Sequence, residues 1–342
     1  MSIRVSRFKF YRPALVLSVL FSIGFVFPQA PPKRLLEVEV DGKYGFIDSS
    51  GNLVIPPDFD SVWGFSEGLA SVWKGGQAGY IDESGRFVVP PQFQFASGFS
   101  EGLAAVELGD KWGYIDRSGT LVIQPRYRDA QAFSEGLAAI HTDNGLWAFV
   151  DKQGTEIIPP KFTMVWSFSE DVAAVYHENR CGFIDPKGKV VIPFRFNECG
   201  GMKDGIGIVR IGKRWGFINA SGDFLIMPRF ERAQLFFDGL AAVKQHGRWG
   251  FIDRGGQFVI PPQFEDRRNE PTLTNFSEGL AGVTQGGKFG YIDKTGAFVI
   301  APQFHKGGPF QNGIAQVCNT TCGYIDFRGA AIWPTDKTQL NR

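Results

Sequence analysis

A five-residue pattern, aromatic-Gly-aromatic-Ile-Asp, returns along this chain at nearly constant spacing, and a chain built that way folds as copies of one unit. It reads Tyr44-Gly45-Phe46-Ile47-Asp48, then Trp112-Gly113-Tyr114-Ile115-Asp116 and Trp249-Gly250-Phe251-Ile252-Asp253. Its last residue falls at Asp48, Asp82, Asp116, Asp151, Asp185, Asn219, Asp253, Asp293 and Asp326, in steps of 34 or 35 apart from one of 40 and one of 33. Nine copies fill residues 35–334.

Three residues after each of these positions stands a glycine, from Gly51 and Gly85 through Gly329. An Asp side chain can accept a backbone N–H two residues on, and Gly supplies the positive φ of a tight hairpin, so Asp-x-x-Gly predicts a turn. Strand-like runs flank it, Trp112–Asp116 before and Thr120–Ile123 after, and a third run, Leu103–Glu107, precedes them. Each unit is therefore expected to be a three-stranded antiparallel meander. Prolines such as Pro56-Pro57 and Pro90-Pro91 are expected to end its last strand, because they cannot donate to a ladder. A connector then leads to Phe-Ser-Glu-Gly-Leu-Ala, intact at Phe65–Ala70, Phe99–Ala104, Phe133–Ala138 and Phe276–Ala281.

Composition agrees: 43 Gly and 20 Pro in 342 residues disfavour helices, and an aromatic content of 14% excludes disorder. Along the middle strand Trp112, Tyr114 and Asp116 point to one face and Gly113 and Ile115 to the other. Apolar groups on both faces require a neighbour on each side, with the pentad glycine expected to admit a facing aromatic. The fold class is all-β, nine stacked units in a propeller-like array, open or closed; a linear β-solenoid is the alternative. Nine exceeds the usual four to eight propeller blades, and no strand is left over to complete a split blade, so the reading leans to an open or loosely closed array.

Lys-Trp-Gly-Tyr-Ile-Asp at Lys111–Asp116 and Arg-Trp-Gly-Phe-Ile at Arg214–Ile218 and Arg248–Ile252, with the Ile-Pro-Pro and Phe-Ser-Glu-Gly-Leu-Ala blocks, resemble the bacterial WG-repeat (KWG-repeat) family. Some copies depart from it: Ala78, Cys181, Phe289 and Cys322 replace the first aromatic, Ala148 replaces the glycine, and Met202–Gly207 is a poor connector block. The resemblance implies a β-rich repeat scaffold, often exported, with a binding role and no catalytic residue to transfer.

Repetition turns a single charge into a column. An acidic column runs Glu67, Glu101, Glu135, Glu170, Asp204, Asp238 and Glu278, with Asn312 closing it; its plain reading is a carboxylate accepting turn N–H groups. A second column is basic in four successive copies, Arg126, Lys161, Arg195 and Arg229, which stacked would make a positive stripe for an acidic partner. Solvated charge, or pairing with the acidic column, is the plain alternative. The 40-residue step comes from an insertion around Glu265–Asn275 that carries Arg267 and Arg268; insertions in repeat arrays map to loops on one face, often the binding face, and drift in a tolerant loop is the plain alternative. These six basic residues are the candidate partner-binding set. His141, His177, His246 and His305 lack metal-ligand spacing, and no nucleophile with a base, P-loop or dinucleotide fingerprint occurs, so neither cofactor nor enzymatic activity is expected.

Residues 1–30 combine Arg4, Arg7, Lys9 and Arg12 with an apolar run from Ala14 to Phe27, the pattern of a signal peptide or, uncleaved, a signal anchor. Residues 31–334 are then the array and 335–342 a tail. Without the leader 32 basic residues face 35 acidic ones, a formal charge of about −3 that argues against nucleic acid. Four cysteines in an exported chain suggest two disulfides among three pairings. Cys318 and Cys322 bracket one hairpin loop; Cys181 stands at a pentad position and Cys199 at the connector position held by Val62 and Ala130. The expectation is an exported, monomeric, non-enzymatic scaffold, periplasmic or extracellular, that contacts a protein or a cell-envelope component, with membrane contact only through an uncleaved leader. A carbohydrate or cell-wall module using exposed aromatics is the alternative.

Overall fold

The computed structural model describes residues 34–265 and 273–333. The readings placed on residues 1–30, on the tail 335–342, and on Arg267 and Arg268 lie outside them. Every described element is a strand, and the strands form nine small antiparallel sheets arranged as a nine-bladed propeller. We number the blades in chain order: 36–59, 61–93, 95–127, 129–162, 164–196, 198–230, 232–264, 273–304 and 306–333.

Most blades have four strands, not three. The connector adds a short strand ahead of the meander, as when Phe95–Ala96 pairs with Leu103–Leu108 through Phe95↔Glu107 and Ala96↔Val106. A pair that short leaves little trace of alternation, which is why the sequence reading stopped at three. In blade 8 a single bridge, Leu273↔Val283, takes its place, and blade 1 begins directly with Leu36–Val40.

Two further expectations are corrected. The last strand does not stop at its prolines: Leu121–Tyr127 runs through Pro125 and regains the ladder at Trp112↔Tyr127. Four residues separate Ile123 from Tyr127 while two separate Tyr114 from Trp112, so the proline segment is a bulge. The pentad glycine admits that bulge and not an aromatic. A Cβ on Gly113 would stand 2.5 Å from the Ile123 carbonyl oxygen and 2.7 Å from the Pro125 nitrogen.

The core lies between blades, since each sheet is apolar on both faces. Tyr114 packs with Phe133, Ala138 and Ile140 of blade 4, whereas its neighbour Ile115 packs with Tyr80, Val89 and Phe93 of blade 2. A pentad ring meets the next blade's connector ring edge-on in repeated pairs, among them Phe46 with Phe65 at 4.9 Å, Tyr114 with Phe133 at 4.8 Å and Tyr291 with Phe310 at 4.9 Å. The same packing closes the ring: Leu36, Val38 and Ile47 of blade 1 bury with Tyr324 of blade 9, and Ile314, Ile332 and Trp333 pack against them. Closure uses side chains, because no sheet contains strands from both ends of the array. Tyr324 Oη donates to the Glu37 carbonyl at 2.9 Å, as Tyr80 Oη does to Ser97 and Tyr114 Oη to Gln131 between neighbouring blades. The seam therefore repeats an internal contact, and the array is closed.

Candidate functional site

Most members of both charged columns turn out to join blades. Connector carboxylates reach the next blade's tight turn: Glu101 accepts the Gly136 N–H at 3.1 Å, Glu135 accepts those of Glu170 at 2.6 Å and Asp171 at 2.9 Å, and Glu278 accepts those of Asn312 at 2.6 Å and Gly313 at 2.8 Å, while Asp204 instead takes Arg254 of the next blade at 3.0 Å. Beside this ladder Ser66, Ser100 and Ser134 donate to the carbonyls of Phe99, Phe133 and Phe168. The turns themselves are strained. Glu67, Glu101, Glu135, Glu170, Asp204, Asp238 and Glu278 all have φ between 50° and 55°, each directly before a positive-φ residue, the geometry of a type I′ turn that normally selects Asn-Gly.

Glu101 shows the electrostatics. Partial desolvation pushes its carboxyl up, but the Lys152 ammonium at 3.1 Å and the Gly136 N–H outweigh that and hold it below its ordinary value. The Asp-x-x-Gly turns are built as read, Asp116 accepting the N–H groups of Ser118 at 2.9 Å and Thr120 at 3.0 Å. The Ser118 hydroxyl and these N–H groups lower the Asp116 carboxyl.

The basic column does not pair with the acidic one. Arg126 donates to the Gly154 carbonyl at 2.8 Å and Arg229 to the Gly256 carbonyl at 2.6 Å, and Arg195 likewise reaches Gly222, each glycine lying in the next blade's Asp-x-x-Gly turn, which at Gly222 begins with Asn219. Each basic group also lies over the ring that follows it: Arg126 over Tyr127, Lys161 over Phe162, Arg195 over Phe196 and Arg229 over Phe230, at 4.9 to 5.1 Å. The four remain exposed, yet their placement is accounted for by contacts within the ring.

Cys181 of blade 5 is bonded to Cys199 of blade 6, and Cys318 to Cys322 across one hairpin of blade 9. At the first bridge's interface Met202 takes the place of the connector phenylalanine beside Phe183. Among the described residues no three His, Cys, Asp or Glu side chains converge as a metal site.

What distinguishes one blade from another is a cross-strand row at the hairpin end of each sheet. Its first two members pair as Ser61↔Trp73, Phe95↔Glu107, Asp129↔His141, Met164↔Tyr176, Glu198↔Arg210, Arg232↔Lys244 and Lys306↔Cys318. Blades 2 to 5 carry an aromatic ring in these pairs, and blades 6, 7 and 9 carry a basic residue, with Trp215 and Trp249 next in the rows of blades 6 and 7. Trp63 and Trp166 just past the row are 47% and 50% exposed. Trp63, Trp73, Phe95 and Trp112 form one cluster across blades 2 and 3, with centroid separations of 5.3 to 6.3 Å and interplanar angles of 42° to 86°. Sequence reasoning missed this row because it searched for columns that repeat. The signal was in the columns that do not.

The profile described as WG containing repeat matches eight tandem times, over residues 44–77, 79–112, 112–147, 147–181, 182–215, 215–249, 249–289 and 289–319. The chain belongs to the WG-repeat family. Each match but the last runs from the middle strand of one blade to the start of the middle strand of the next, and the last ends at Asn319 in the hairpin of blade 9, so eight matches with their flanking pieces make nine blades. Among solved structures this WG-repeat chain is similar to a eukaryotic initiation factor at 13% identity, covering 87% of this chain and 95% of that one with a TM-score of 0.62. BamB from Moraxella catarrhalis aligns at 11% identity over 87% and 98% with a TM-score of 0.48, and the computationally designed Ika8 protein at 10% over 88% and 99% with 0.47. At 13% identity the likeness to the initiation factor is one of fold. A search of curated proteins finds no match.

Proposed function

We propose that this propeller is an exported, non-enzymatic interaction scaffold that contacts a protein or cell-envelope component through the blade-specific rows. One observation carries the reading: the carboxylate ladder and the arginines of the basic column are engaged between blades, whereas the row residues change chemistry from blade to blade. A scaffold needs that division, with one set of positions building the ring and another addressing a partner. The leader-like residues 1–30 support export.

The carbohydrate reading is the weaker one, because sugar stacking needs broad exposed rings lying flat, and the cluster on blades 2 and 3 meets at 42° to 86°. The test is capture from an envelope fraction by the immobilised chain, with a glycan and peptidoglycan array in parallel. The scaffold reading expects a protein retained by the native chain and lost by a Trp63→Ala, Phe95→Ala variant that melts normally. Retention of glycan alone would replace it with the carbohydrate reading.

A further inference from the structure

The aromatic cluster on blades 2 and 3 stands in an acidic setting. Glu107 lies in the row between two of its rings, paired across strands with Phe95 on one side and Trp112 on the other. The Glu37 carboxylate lies next to Gly64, the neighbour of Trp63, where a Cβ would stand 3.1 Å from its Oε1. The lysines nearby are engaged: Lys43 holds Asp60, Lys74 holds Asp58 and Lys111 holds Asp143, each at 2.5 Å. Arg34 acts on the Glu37 carboxylate, but no basic group pairs with Glu107 among the described residues, so Glu107 leaves negative charge beside the exposed Trp63 and the half-buried Trp73, Phe95 and Trp112. On blades 6 and 7 the equivalent rows carry Arg210, Arg232 and Lys244 beside Trp215 and Trp249, so rings set next to basic groups there are set next to a carboxylate on blades 2 and 3.

Rings at these spacings touch one another and leave no slot for a flat ligand. They offer edges and faces to an apolar side chain, and a ring face attracts a cation within about 6 Å of its centre, more so beside a carboxylate. We infer that Trp63, Trp73, Phe95 and Trp112, with Glu107 and Glu37, dock a basic peptide segment of a protein partner, in which a Lys or Arg stands beside an aromatic or aliphatic residue. The inference rests on the scaffold reading and gives that scaffold its partner chemistry. A cluster of tryptophans at the centre of a contact is also where binding energy concentrates.

The experiment is a display selection of short random peptides against the full chain, read by the affinities of the enriched peptides. Expected are sequences pairing Lys or Arg with an aromatic or aliphatic residue, whose affinity falls about tenfold or more with Trp63→Ala. It should fall comparably with Glu107→Lys, a surface change that spares the core. Enrichment of acidic or uncharged peptides, affinity unchanged by both variants, or no enrichment at all would overturn the inference. Peptides that ignore both variants but respond to Arg210→Ala or Arg232→Ala would move the interface to blades 6 and 7 and leave the scaffold reading standing. Retention of glycans alone in the capture experiment would remove both. Self-association lost with Trp63→Ala in sedimentation would make a second copy the occupant, and that too would overturn it.

Discussion

Replacing Glu101 separates two opposing contributions that recur in six of the blade connectors. Its φ of 54° lies in the left-handed region, where a residue bearing a β-carbon sits about 1–2 kcal/mol above its preferred conformations. Against that strain its carboxylate accepts the Gly136 N–H at 3.1 Å and pairs with Lys152 at 3.1 Å. A hydrogen bond to a charged group contributes about 1.5 kcal/mol or more when shielded, and an exposed ion pair about 0.2–1 kcal/mol. With the Glu101 side chain 30% exposed and that of Lys152 39% exposed, we discount the sum to about 1.5 kcal/mol. Glu101→Ala keeps the strain and loses both contacts, a loss of about 1.5 kcal/mol. Glu101→Gly loses the same contacts but relieves the strain, partly offset by unfolded-chain freedom, so it should be about 1 kcal/mol more stable than the alanine variant. Urea unfolding followed by tryptophan fluorescence at neutral pH reads both as midpoint shifts at unchanged slope. Equal loss in the two variants would refute the strain, and no loss with alanine would refute the carboxylate ladder.

Four further outcomes follow from the same geometry. Gly113→Ala drives a methyl into the backbone of the proline bulge and should cost about 3 kcal/mol or more, measured by the same unfolding. Reducing Cys181–Cys199, or replacing both with Ser, removes the staple between blades 5 and 6 and should cost about 3 kcal/mol for a loop of this span, seen as a lower midpoint with reductant. Acid should destabilise the ring: hydrogen bonds from Ser84 and Arg86 hold Asp82 at about 2, Asp116 and Asp293 are lowered by Ser118 and Thr295, and Glu101 is lowered too. Folded values below unfolded ones mean stability that is present above the ordinary carboxylate range and lost as pH falls through the lowered values, so melting temperature should drop below about pH 4; a flat profile there would contradict the assignment. Tyr324→Phe removes the hydroxyl that bonds Glu37 at the seam, and hydrogen exchange should rise in blades 1 and 9 before any other.

Much of this was legible because repetition amplifies a weak signal. The Asp-x-x-Gly turn and the two-faced middle strand each rest on local chemistry that nine copies restate, and both are as read. What local chemistry does not specify stayed hidden. Closure depends on the small rotation summed over nine interfaces, which no single unit encodes. Pro56-Pro57 and its counterparts read as strand ends because a proline cannot donate to a ladder; the missing bonds are absorbed by a bulge, and Gly45 is a glycine so that the bulge can cross it. Arg126, Arg195 and Arg229 formed a conspicuous column, yet their destination, a glycine carbonyl 27 or 28 residues on, exists only once blades are stacked. The aromatic cluster was invisible for the converse reason: Trp63, Trp73, Phe95 and Trp112 occupy four different repeat positions and meet only in space.

The central claim is that repeated polar residues build the ring while the blade-specific rows address the partner. Two variants of the full chain test it most directly, each measured for melting temperature and for capture of the envelope partner. One changes Arg126, Lys161, Arg195 and Arg229 to Gln, and the other changes Trp63 and Phe95 to Ala. The account predicts that the first melts lower with capture retained, and that the second keeps its melting temperature and loses capture. The reverse assignment, capture lost with the arginines at unchanged melting temperature and kept without the aromatic rings, would contradict it.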